Sequence, residues 1–223
     1  MRRVLAAGIL LCLTAAPAFA DTMLNLSVTA TVTAMPDELV AQLNATADAP
    51  TAAAAQAQVN AMVETALVAA KSVSGVTSST TAYSVWHETD PKDVWHASQG
   101  IALRSHDGAG LLTLVGGLQG SGLAVGDLSW QLSAATSEAS YEQAIAKGVK
   151  ALMARAETVA ALMRLHVEDF RSVTVGDDGG AAPRPMMMRA MAMDKTAAPP
   201  SAQADVVTVS ATVSGEARLL PTP

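Results

Sequence analysis

Leu24-Asn25-Leu26-Ser27-Val28-Thr29-Ala30-Thr31-Val32-Thr33, near one end of the chain, is closely mirrored near the other by Val206 to Ala217, VVTVSATVSGEA. In the first stretch Leu24, Leu26, Val28, Ala30 and Val32 alternate with Asn25, Ser27, Thr29, Thr31 and Thr33. A period of two puts apolar side chains on one face and hydroxyls on the other, the mark of a half-buried strand. Two such strands at the two ends imply that the last strand closes beside the first. Met35-Pro36-Asp37 ends the first strand, because proline has no N–H to give to a ladder.

Between these strands the pattern changes period twice. Thr51 to Ser72 contains AAAAQAQVNAMVETALVAAK, a run of strong helix formers with Asp48 or Thr51 as cap. Its apolar face is Ala55, Val59, Met62, Val63, Ala66 and Ala70, and Ser74-Gly75 ends it. A second long helix is expected over Glu138–His166 with Ser137 as cap, its inner stripe running through Ala144, Gly148, Ala151, Leu152, Arg155, Ala156, Val159 and Met163. Small residues on that stripe allow the helix to sit close to a sheet. A short apolar helix fits Gly108–Leu118, followed by a glycine-rich exit loop. Strands are expected at Glu38–Ala45 (which also reads as a helical turn), Val76–Glu88, Val94–Ser105, Val125–Ala135 and Val167–Val175. The order is ββ-α-ββ-α-β-α-ββ. It predicts an α+β fold, a mixed or antiparallel sheet packed by two long Ala-rich helices and one short helix.

The first twenty residues have a different character. Arg2 and Arg3 precede a short apolar run, Val4 to Thr14, and Pro17-Ala18-Phe19-Ala20 supplies small residues for cleavage between Ala20 and Asp21. The run is shorter than the roughly 20 residues a spanning helix needs. The expectation is a cleavable signal peptide, residues 1–20, and a periplasmic mature protein that forms one domain over 21–223 with no integral membrane segment. Cleavage leaves 12 basic against 20 acidic residues, a net charge of −8, which disfavours nucleic-acid binding. The only cysteine, Cys12, leaves with the signal, so the mature chain is held by its core and not by disulfides.

These features, taken in order, resemble the SIMPL-domain family, once called DUF541, of exported bacterial proteins. The resemblance runs over about residues 24–217. It rests on the alternating first strand leading into Met35-Pro36-Asp37, the Ala-rich helix, the Gly75 turn into a Thr-rich strand, and Trp95 to Leu103, WHASQGIAL. Ala154-Arg155-Ala156 and Ala160-Ala161-Leu162 match the family's long helix, and a proline-containing loop leads to the last strand. Two departures stand out: Thr29-Ala30-Thr31 replaces the family's common Gly-x-Gly, and residues 177–204 form a Met/Pro-rich insert. The resemblance implies an exported α+β protein without an established enzymatic reaction, linked to oxidative-stress tolerance or outer-surface antigens, with self-association in some relatives. The expectation is a non-enzymatic protein that works through self-assembly or partner binding.

Candidate sites are few. Met186, Met187, Met188, Met191 and Met193 cluster in the insert, where thioethers suit Cu(I) or can be oxidised reversibly; a linker or an adaptable contact surface explains them as well. Val85-Trp86-His87 recurs as Val94-Trp95-His96. With a four-residue loop, Thr89 to Lys92, Glu88 opposes Asp93, Trp86 opposes Trp95, and His87 and His96 become diagonal neighbours on the other face. A paired-imidazole metal site is then possible, but a Trp pair that sets the register is the simpler reading. Ser121 in Gly120-Ser121-Gly122 lacks the strand–elbow–helix spacing of a hydrolase, and the glycines of 116–126 lack the Lys-Ser/Thr of a phosphate loop. His106-Asp107 reads as charges at an element end, and His166 as a partner of the helix dipole. No catalytic residue is assigned. A homo-oligomer or an unidentified envelope protein is the expected partner.

Overall fold

A computed structural model describes residues 21–176 and 204–222. The strands are β1 (Thr22–Ala34), β2 (Glu38–Ala49), β3 (Val76–Glu88), β4 (Val94–Ser105), β5 (Ala124–Gln131), β6 (Leu165–Gly176) and β7 (Val207–Pro221). The helices are α1 (Ala52–Lys71), α2 (Gly108–Gly120) and α3 (Ala134–Leu162). The element order is the expected ββ-α-ββ-α-β-α-ββ, and the fold is α+β. The strands divide into two antiparallel sheets, β1-β7-β6 and β3-β4-β2-β5. The terminal strands do pair: β1 and β7 run in unbroken register from Thr22↔Leu219 to Ala34↔Val207.

Each sheet has its own helices. On the four-stranded sheet, Leu39, Ala41, Leu43, Ala45, Ala47 and Ala49 of β2 alternate inward and pack with Ala55, Val59, Val63, Ala66 and Ala70 of α1. Leu111, Val115 and Leu118 of α2 complete that core. Thr51 caps α1 through Ala54 N–H, and Asp107 caps α2 through Ala109 and Gly110. Asp48 lies in β2 and is not the cap. Gly108 opens α2 hard against the ring of Trp130, where a Cβ would lie 2.6 Å from Cζ2.

On the three-stranded sheet the single helix α3 buries Ser140, Ala144, Gly148, Leu152, Ala156 and Ala160, a strict row at four-residue spacing. Ala151 and Arg155, expected on this stripe, are exposed. The small residues allow close approach: a Cβ on Gly148 would meet Val213 Cγ2 at 2.7 Å. The opposite face of this sheet carries the hydroxyls of Ser27, Thr29, Thr212 and Ser214, joined in pairs across β1 and β7 (Thr29–Thr212 2.9 Å, Ser214–Ser27 3.0 Å).

Helix α3 starts four residues before the expected position, capped by Ser133 and not Ser137. It also ends earlier, at Leu162, with Arg164 in the left-handed region (φ 59°) that glycine usually takes after a helix. His166 therefore lies in β6, opposite Leu220, and answers no helix end. Its Nε2 lies 3.5 Å from Glu168.

Candidate functional site

The chain passes between the two layered halves twice, at β1–β2 and at β5–α3. Asp37 joins the two crossings. Its carboxylate accepts from Ser133 N–H (2.7 Å), Ser133 Oγ (2.7 Å) and Thr136 Oγ1 (2.6 Å), so it extends the cap of α3. Its own N–H donates to the Gln131 carbonyl at 3.1 Å. Its carbonyl accepts from His106 Nδ1 at 2.6 Å. Desolvation pushes this carboxyl upward, but the hydrogen bonds from Ser133 and Thr136 outweigh it and hold the group down at about 2. The Pro36-Asp37 pair thus has a structural task, and a local reading of the sequence finds no sign of it because the partner is 96 residues away.

The β3–β4 hairpin overturns the expected register. Its loop has five residues, Thr89–Asp93, with a cis bond at Asp90–Pro91, and the ladder pairs Trp86 with His96, His87 with Trp95 and Glu88 with Val94. A slip of one residue sends every side chain to the other face. Trp86 and Trp95 are no longer opposed, and the two histidines lie on opposite faces, so there is no paired-imidazole site. Two His–Trp stacks form instead: Trp86 on His96 (centroids 5.0 Å, planes 16° apart) and His87 on Trp95 (4.4 Å, 11°). The slip also separates Glu88 from Asp93, whose charges repel if opposed, and gives each a histidine. Asp93 meets His87 Nε2 at 2.5 Å, and Glu88 meets His96 Nε2 at 3.0 Å. Asp48, opposite His96 on β2, takes the other nitrogen, Nδ1, at 2.7 Å.

Of the remaining candidates, Ser121 has a structural task. Ser121 caps the end of α2 and donates to the Gly117 carbonyl at 3.2 Å. The glycines around it form the last turn of α2 and the exit into β5. Met186, Met187, Met188, Met191 and Met193 lie outside the described residues, as do residues 1–20 and all of the 177–204 insert except Ala204. Among the described residues, no group of three or more His, Cys, Asp or Glu side chains is placed to hold a metal ion. No described helix is long and apolar enough to cross a membrane.

A family model described as SIMPL, protein of unknown function (DUF541), matches residues 24–217. The chain belongs to this family. No curated protein matches it. The matched span begins in β1 and ends in β7, so in this SIMPL chain the family unit contains both sheets and all three helices.

The four edge strands of the two SIMPL sheets differ in how well they are guarded. β6 is interrupted by two bulges and carries Glu168, Asp169 and Arg171. β3 is bulged between Thr80 and Tyr83 and ends in His87-Glu88. β5 has only eight residues, contains Asp127 and meets β2 through an irregular register. These are the devices that keep edge strands from pairing with other chains. β1 itself has none of them, with thirteen residues, no charge, no proline and no bulge. Among the described residues only β7 lies beside it in the sheet, with Lys147 of α3 reaching its Thr31 carbonyl at 3.4 Å.

Proposed function

We propose that this SIMPL protein is exported to the periplasm and works without catalysis, by association through the open edge of β1, first with a second copy of its own chain. The long, uncharged and unbulged β1 at the sheet edge is the observation that carries this reading. A long, uncharged edge rich in Val and Thr offers a row of backbone donors and acceptors, and an antiparallel copy of itself satisfies them. Two copies joined at β1 would form one six-stranded sheet with an α3 helix from each copy on one face and hydroxyls on the other. The signal-like first twenty residues support export, and the tie to oxidative-stress tolerance that the family resemblance implies fits an envelope role. Lys147 reaches the Thr31 carbonyl at 3.4 Å and is the side chain a partner strand would have to displace.

Light scattering coupled to size exclusion, on the mature chain over a range of concentrations, tests this. The expected result is a dimer or larger assembly that becomes monomeric in an Asn25→Lys/Thr33→Lys variant with unchanged circular dichroism. A wild-type monomer at every concentration overturns it.

The methionine cluster supports a second reading, a Cu(I)-binding or oxidant-buffering segment at Met186, Met187, Met188, Met191 and Met193. Anaerobic Cu(I) titration of the chain against a variant with alanine at all five positions decides it. Equal affinity removes the copper reading, and equal peroxide consumption removes the oxidant one.

A further inference from the structure

We infer that His96 is a pH-operated latch that ties the tip of the β3–β4 hairpin to the end of β2, closed when the ring is protonated and loosened when it is neutral. The geometry requires two donors from one ring. Nδ1 faces Asp48 Oδ1 on β2 at 2.7 Å, and Nε2 faces Glu88 Oε2 on β3 at 3.0 Å. An ionised carboxylate only accepts, and a neutral imidazole has a single N–H. Both bonds therefore exist together only in the imidazolium. Loss of its proton leaves a ring lone pair facing a carboxylate, and one of the two side-chain ties is lost while the backbone ladder remains.

The ring is well placed for this task. Its side chain is only 16% exposed, and Trp86 of β3 stacks on it. The titratable and charged groups facing it are Asp48 from β2 and Glu88 from β3, the two strands that flank β4. Helix α1 packs on the other face of the sheet, against the side that holds Trp95. His87 does not duplicate the latch, because its partners, Asp93 and Trp95, belong to the hairpin itself. The Asp48 hydrogen bond acts most strongly on His96. With the Asp48 charge and the Glu88 contact it outweighs desolvation and raises the ring above its ordinary 6.5.

A group raised on folding stabilises fully below its unfolded pKa, and that contribution fades as pH rises through the raised value. The latch therefore holds in mild acid and loosens as pH rises through the raised value. The loosened element is an edge hairpin whose tip carries Trp86, already 48% exposed.

The test is amide hydrogen exchange on the mature chain, corrected for the intrinsic pH dependence of exchange. It compares wild type with His96→Gln between about pH 5.5 and about pH 9, a range that spans histidine titration. Protection at residues 84–88 and 94–98 should fall severalfold across that range in wild type, while β7 is unchanged, and the fall should vanish in His96→Gln. An equal fall in both, or none in wild type, overturns the latch. Ring nitrogen shifts of wild-type His96 give a check independent of the variant's folding. A midpoint above the ordinary 6.5, lowered more by Asp48→Asn than by Glu88→Gln, supports the latch, and a midpoint at or below 6.5 overturns it.

Discussion

Asp37 shows how one side chain can hold two distant parts of a chain together. Its three carboxylate contacts cap α3 and pin the β1–β2 crossing to the β5–α3 crossing. Asp37→Ala should destabilise the protein by about 2 kcal/mol, because a cap is lost and the Ser133 and Thr136 donors lose their acceptor. The acid limb gives a second, independent sign. The folded carboxyl sits at about 2 against an ordinary 3.8, so its contribution is complete above about pH 4 and is lost as pH falls toward about 2. The carboxylate is about a third exposed, and solvent screening reduces that contribution to about 1–2 kcal/mol. Urea unfolding of wild type and Asp37→Ala across acid pH should show the difference between them shrinking below about pH 4. A constant difference would mean that Asp37 acts only through packing. The sequence placed a turn at Pro36-Asp37, because proline's missing N–H is a local property. Nothing local pointed to Ser133 as the partner, and for the same reason Ser137 looked like the better cap.

Elements were far more legible than their partners. An Ala-rich α1 capped near Thr51, the short α2 and the two terminal strands all follow from periodicity and capping chemistry, which act within a few residues, although the choice of Thr51 over Asp48 came with the structure. The small-residue row of α3 was legible as a kind of surface, and its contact with Val213 turns that into a test. Gly148→Ala adds helix propensity of about 1 kcal/mol. It also drives a methyl to 2.7 Å from a fully buried valine, an overpacking that costs about 1–3 kcal/mol. The expected net effect is destabilisation, with Val213→Ala partly relieving it in the double variant; additive thermal shifts would show that the two residues do not compete for space. The β3–β4 hairpin was misread by one position. A repeated Trp-His pair offers two nearly equivalent registers, and the choice between them depends on loop length, on the repulsion between Glu88 and Asp93, and on Asp48 from another strand.

The two halves are unequal in both connection and core. Residues 38–131 form the four-stranded sheet with α1 and α2 as one continuous stretch, set between β1 and the α3-β6-β7 segment that completes the other half. Eight of the eleven largest fully buried side chains lie in that continuous stretch, and only Leu152, Val213 and Leu219 lie in the other half. Native-state hydrogen exchange should therefore show β1, β7 and α3 opening at lower free energy than β2 and β4, since less apolar area is lost when they open. A single common opening energy would mean that the Asp37 crossing couples the halves completely. Periodicity, capping and breaker residues were enough to establish the α+β class, the order of ten elements and the pairing of first strand with last, because each is written in short-range pattern. The family entered through the resemblance of those elements in order and rests on the family model. The division into two sheets, the hairpin register, the start of α3, the bare β1 edge and the double carboxylate grip on His96 came only with the folded chain. Each depends on residues tens of positions apart that meet only after the chain has crossed between its two layers.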